Sequence, residues 1–310
     1  MNATHAIAPL FMSALIDGCM RPMLEAVQED CTLMLGLRGA YVSVYYRGGE
    51  LLTIRPAGPD AYRVTANARY GHVDNFRDRL IATRSDAQEV VTTFPAMKWT
   101  MDRYTKIRSG HEREFQQLVV RENNRSRGAG SSDYFITDME HAKGSARFDL
   151  LGARWTHKDR KHGDRLTPVI FEMKYGEGAL SGDAGIAKHI DDLRRCLSDE
   201  QFVANLRANV ASQFNQLAEL GLMEFNRSES IKSFTCASQL RIVLVLAAFN
   251  PRSSKLLPIL EEVHAQWQKD PIPNVDLRVF HASFCGYLMH ENSMLDLADT
   301  IEQLKRWQSF

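Results

Sequence analysis

The run Pro168-Val-Ile-Phe-Glu-Met-Lys-Tyr-Gly-Glu-Gly178 decides how the rest of the chain is read, because it has the composition of a buried strand yet carries an acid and a base two residues apart. Side chains on a strand alternate faces. Glu172 and Lys174 therefore point one way with Ile170, while Val169, Phe171 and Met173 point the other. A buried strand does not place two charges at its centre unless they are paired, metal-bound or catalytic. On local evidence an ion pair and a functional site are equally good readings, and the surrounding chain has to separate them.

Upstream, residues 109–122 have helical spacing, with Ser109 as N-cap and Phe115, Leu118 and Val119 as the apolar stripe. Glu112 lies in phase with that stripe and Glu114 one step round it. The plainer alternative is that both acids complement the positive end of the helix dipole. The polar run 123–132 carries Arg125 and Arg127 and has loop chemistry; with no Gly-Lys-Ser/Thr after it, it is not a P-loop. Strands are expected at 134–142 and 146–155, the second holding Asp149 between Phe148 and Leu150. Residues 156–165 then form a hairpin tip rich in Lys158, Arg160, Lys161, His162 and Arg165. Beyond the opening strand, 176–185 is glycine-rich, and helices are expected at 186–197 and 200–220. The most apolar run, 239–249, reads as a central strand. A helix capped by Ser253 or Ser254, a strand at 275–282 and a helix at 293–307 complete the chain.

The first hundred residues read differently. Apolar spacing over 9–27 predicts one helix with Gly18 as its weak point. Strands at 40–47 and 50–55 flank Gly48-Gly49, a tight hairpin, and a third strand is expected at 62–70. Residues 72–107 read as a connecting region, helical over 73–81 and interrupted at Pro95. The expected division is an α+β accessory region at 1–107 and a second domain at 108–310.

A chain of 310 residues with 44% hydrophobic content can build its core without staples. Lys plus Arg and Asp plus Glu number 38 each, so no global field steers it to nucleic acid or membrane, and a polyanion site must be a local patch. The five cysteines, Cys19, Cys31, Cys196, Cys236 and Cys285, lack disulfide or zinc spacing and read as reduced. The apolar stretch 8–16 is cut by Asp17 and is too short for a membrane span or a signal peptide, so the expectation is a cytoplasmic protein with no membrane partner.

From Glu112 to Phe249 the order is helix, three strands, helices, strand, with an acid on the helix, an acid in the second strand and Glu-x-Lys in the third. This resembles the PD-(D/E)XK nuclease superfamily. Phe148-Asp149 stands where that family has Pro-Asp, and Glu172-Met173-Lys174 stands as its (D/E)-x-K. The missing proline matters little, because the acid is what binds metal. Glu112-Arg113-Glu114-Phe115 looks like the acidic opening of the first helix in the archaeal Holliday-junction resolvase branch, which favours Glu112 over Glu114. The resemblance implies an α/β fold with a restriction-endonuclease-like αβββαβ core, its mixed central sheet flanked by helices, plus an N-terminal α+β extension. It implies a Mg²⁺-dependent nuclease, with Mn²⁺ as a substitute, most simply a DNA endonuclease in restriction, repair or phage defence. Asp149, Glu172 and Glu112 would hold metal, Lys174 would complete the catalytic set, and Glu114 is the alternate first-helix acid. Paired cuts would favour a homodimer or larger assembly through the N-terminal region.

The chemistry also stands on the residues themselves. Phosphodiester hydrolysis brings hydroxide to a phosphorus ringed by negative oxygens, which calls for a hard divalent cation and a few carboxylates to hold it. The basic residues Lys158, Arg160, Lys161, Arg125 and Arg127 are candidates for phosphate contacts, the alternative being a solvated hairpin. His189 could touch a phosphate, though a surface histidine is the plainer reading. Trp155 and Tyr175 could stack on bases or simply pack. The competing function is a catalytically silent nucleic-acid-binding or assembly module on the same fold.

Overall fold

The computed structural model describes residues 5–70, 76, 78–106, 110–143, 146–178, 180–182, 185–228, 231–282 and 287–309, and the side chains of 140–143, 146 and 147 are excepted. Ser109 and Cys285 lie outside the described residues. The chain is mixed α/β, with two five-stranded sheets among the described residues.

The first unit opens with α1 (Pro9–Ile16) and α2 (Arg21–Glu29), where the apolar spacing predicts one helix. The break falls at Gly18, packed so closely that a Cβ there would sit 2.6 Å from the Ala14 backbone, and Pro22 restarts the helix in its first turn. Five strands follow, β1 (Leu33–Leu37), β2 (Val42–Tyr46), β3 (Gly49–Pro56), β4 (Tyr62–Ala66) and β5 (Asp78–Ile81), antiparallel in that order. The β2–β3 hairpin is where expected, but its two-residue turn is Arg47-Gly48, both at positive φ, with Tyr46 opposite Gly49. The helical expectation over 73–81 is corrected at its end, because 78–81 pairs with β4 as a strand. Pro95 begins rather than interrupts a helix: after α3 (Arg84–Val91), α4 (Phe94–Thr105) carries it in its first turn, where its missing N–H costs nothing.

The second unit runs α5 (His111–Asn124), β6 (Tyr134–Lys143), β7 (Ala146–Arg154), β8 (Thr167–Tyr175), α6 (Ile186–Leu197), α7 (Glu200–Glu219), β9 (Leu240–Ala247), α8 (Leu256–Lys269), β10 (Val275–Ala282) and α9 (Leu297–Gln308). Its sheet order is β10-β9-β8-β7-β6, with β6, β7 and β8 an antiparallel meander and β9 and β10 parallel to β8. Each parallel step is bridged by helix, as parallel strands require. The two last helices start later than expected, at Leu256 and Leu297, the second capped by Asp296.

β8 lies mid-sheet with helices over both faces. Val169, Phe171 and Met173 pack in one apolar cluster with Val119 and Val120 of α5. Ile170 packs in the other, with Ile186, Ile190 and Leu193 of α6. That second cluster is continuous with the first unit, since it also holds Leu24, Leu35, Val44 and Ile54. Polar contacts join the units too: the Ile7 amide donates to Gln216 of α7 at 2.9 Å, and the Arg38 guanidinium meets the buried Asp138 of β6. Among the described residues, no helix is long and apolar enough to cross a membrane.

Candidate active site

The alternation of β8 sends Glu172 and Lys174 towards α6, and both are buried, at 2% and 3% exposure. Lys174 Nζ lies 2.7 Å from Glu172 Oε1, and His189 Nδ1 on the first turns of α6 contacts the same oxygen. Glu172 Oε1 thus faces two basic nitrogens at once.

Asp149 joins them because β7 leaves the ladder. The last paired residues of β7 and β8 are Leu150 and Phe171. One step further the Asp149 carboxylate, rather than a backbone carbonyl, accepts the Met173 amide at 2.7 Å. Its other oxygen accepts from Gln116 Nε2 of α5 at 2.9 Å. Burial, then the neighbouring Glu172 and Glu112 carboxylates, push the Asp149 carboxyl up to about 7, against the Met173 amide and Lys174, which pull it down.

Glu112 completes the group from the first turn of α5. The Tyr175 backbone amide lies close enough to pull its carboxyl down, and Tyr175 also packs against the rings of His111 and Phe115. Its carboxyl is raised, first by burial and then by Glu172, with Lys174 acting in the opposite direction. The site thus sits at the C-terminal end of β8, where β7 diverges and the starts of α5 and α6 converge.

Of the expected site residues, Glu112, Asp149, Glu172 and Lys174 are brought together. Glu114 is not: its carboxylate pairs with Arg47 on the far side of α5. Two of the basic candidates are also corrected. The Arg160 guanidinium is buried and donates to the Ser132 carbonyl at 2.6 Å while stacking on Phe135 and Trp155. Arg125 donates to the Val27 and Gln28 carbonyls at the end of α2. Both are spent on the fold, as is the fully buried Trp155, whereas Arg127, Lys158 and Lys161 are exposed.

Sequence reasoning missed Gln116, which is buried, with its Oε1 unpartnered. The signal was present, since Gln116 lies four residues after Glu112 and so on the same helical face. Among the described residues no group of three or more His, Cys, Asp or Glu side chains is arranged to hold a metal ion. The donor set nonetheless suits a hard cation: carboxylate oxygens, with the amide oxygen of Gln116 buried and without a hydrogen bond.

Comparison with protein-family models, with curated proteins and with solved structures finds no match to this chain. The site's chemistry therefore carries the functional argument alone.

Proposed function

We propose that this chain is a divalent-metal-dependent nuclease of the PD-(D/E)XK type, acting on DNA. The observation that carries the reading is the convergence of Asp149, Glu172 and Glu112 around one lysine, crowded enough to raise two of the three carboxyls. Acids held together at such cost favour a site that receives a cation.

In this reading Asp149 and Glu172 hold the cation, with Glu112 as a further acid. Mg²⁺ there would offset charge on the phosphodiester and acidify water. Lys174 orients the attacking water and balances negative charge as it develops on the phosphate. His189, exposed enough to meet solvent, faces the scissile region from α6.

The test is incubation with supercoiled plasmid, linear DNA and RNA in Mg²⁺, Mn²⁺ or EDTA. Cleavage removed by EDTA is expected, and Asp149→Asn should lower it on the order of 100-fold or more, the loss of several kcal/mol of transition-state stabilisation. The Glu172–Lys174 ion pair supports a second reading, a silent nucleic-acid-binding module. Retardation of DNA without metal-dependent cleavage would select it.

A further inference from the structure

Adjacent glutamines tie α5 in opposite directions. Gln116 holds Asp149, while Gln117, also buried, turns to the first sheet. Gln117 Oε1 accepts the Gly48 amide at 2.6 Å, and its Nε2 donates to the Thr32 carbonyl at 2.8 Å and the Tyr45 carbonyl at 3.4 Å. The β2–β3 turn also touches the helix backbone itself. A Cβ on Gly48 would lie 2.3 Å from the carbonyl carbon and oxygen of Arg113, and the φ of +72° there is one that glycine adopts without strain. From the same turn, Arg47 pairs with Glu114 and, at 2.8 Å, with Asp102 of α4.

Residues 113, 114 and 117 of α5 thus meet the turn, while Glu112 and Gln116 meet the site. The N-cap position of the helix, Gly110, provides no side-chain cap, so this end relies on contacts made by the residues after it. An open surface pocket of about 270 Å³ bordered by Arg47, Glu114 and Gln117 runs along the joint. Close backbone approach at Gly48 and the hydrogen bonds of Gln117 together set the stiffness of the joint, and a buried group whose hydrogen bond is lost stays unsatisfied.

We infer that the β2–β3 turn is a brace that fixes the first two turns of α5, and with them Glu112 and Gln116, with Gln117 and Arg47 as its positioning residues. This gives the N-terminal sheet a part in the reaction. Only the effect on rate rests on the nuclease reading; the mechanical effect does not.

The test is Gln117→Met, which keeps length and volume but removes the hydrogen bonds. Amide hydrogen exchange over 112–117 should speed about tenfold while exchange over 206–217 of α7 is unchanged. In Mg²⁺ the kcat for DNA cleavage should fall about tenfold with KM for DNA unchanged. Gln117→Glu, which keeps an acceptor for the Gly48 amide but sets a buried carboxylate oxygen against the Thr32 and Tyr45 carbonyls, should recover neither. Unchanged exchange over 112–117, or exchange that speeds equally in α7, would overturn the brace. If the wild-type protein cleaves no nucleic acid in Mg²⁺ or Mn²⁺, the nuclease reading fails, and the exchange result alone decides for or against the brace.

Discussion

Asp149 and Lys174 share a site but hold opposite stakes in the stability of the fold. The Asp149 carboxyl titrates at about 7 in the folded chain against an ordinary 3.8, so the folded state binds its proton more tightly than the unfolded state. Stability from this group is fully present below about 3.8 and is lost as pH rises to about 7. Asp149→Asn removes that loss, and its amide can still accept from Met173. Thermal unfolding at pH 8 should show the variant more stable on the order of 2 kcal/mol, with the advantage gone near pH 4. Lys174→Ala should act the other way. It leaves Glu172 buried with only His189 against its carboxylate, and breaking a buried pair costs about 3–5 kcal/mol. Equal and same-signed shifts for the two variants would show that Asp149 is not under electrostatic strain. At this scale the charges on β8 and the acid on β7 were legible, because alternation sets which side chains share a face. Glu114 and Arg160 were not, because their fate depends on what stands across from them: Arg47 in one case and the Ser132 carbonyl in the other.

At the scale of elements, the parallel pair β9–β10 is clamped at its start by residues directly opposite in register. Arg241 of β9 faces Asp276 of β10 and pairs with it at 2.6 Å, while its other nitrogen reaches Glu291 at 2.8 Å. Glu291 also accepts from Arg154 of β7 and from the Tyr134 hydroxyl of β6, so one carboxylate ties the N-terminal end of β9 to the far side of the sheet. Although burial opposes it, Arg154, Arg241 and Tyr134 together hold this carboxyl down to about 2, against an ordinary 4.5. The stabilisation is present above about 4.5 and is lost as pH falls towards 2. Because Glu291 keeps a third of its side-chain surface in water, its share is about 1–2 kcal/mol rather than the full linkage value. Glu291→Gln should lower the unfolding midpoint at pH 7 and leave a shallower acid limb between pH 4.5 and 2; an unchanged limb would assign the acid sensitivity elsewhere. Element types were readable wherever periodicity was sustained, as in α6, α7 and β9. They failed at 78–81, where a short exposed segment becomes a strand only because β4 offers it an edge.

For the whole molecule, the expected boundary at 107/108 divides the chain less cleanly than its composition suggests. Leu24, Leu35, Val44 and Ile54 belong to the same apolar cluster as Ile170, Leu217 and Leu222. Removing residues 1–107 would bare that surface together with the carbonyl-bound Arg125 and the buried Gln117. The full chain is expected to unfold in one transition by calorimetry, and the 108–310 fragment to bind hydrophobic dye and lack a cooperative transition. A fragment that melts cooperatively near the full-length temperature would restore the accessory unit as an independent domain.

By itself the sequence determined the α/β element order, the three-strand meander, and the shared face of Glu172 and Lys174 on β8, while the mixed sheet and the grouping of Asp149 and Glu112 with them were what the family resemblance implied. The element order, the meander and the shared face follow from period and order, which are local properties of the chain. Only the tertiary structure decided that Gln116 and His189 join the acids, that Glu114, Arg125 and Arg160 serve the fold, and that the β2–β3 turn bears on α5. These depend on contacts between segments far apart in sequence, where charge, burial and close approach are set by the partner rather than by the residue.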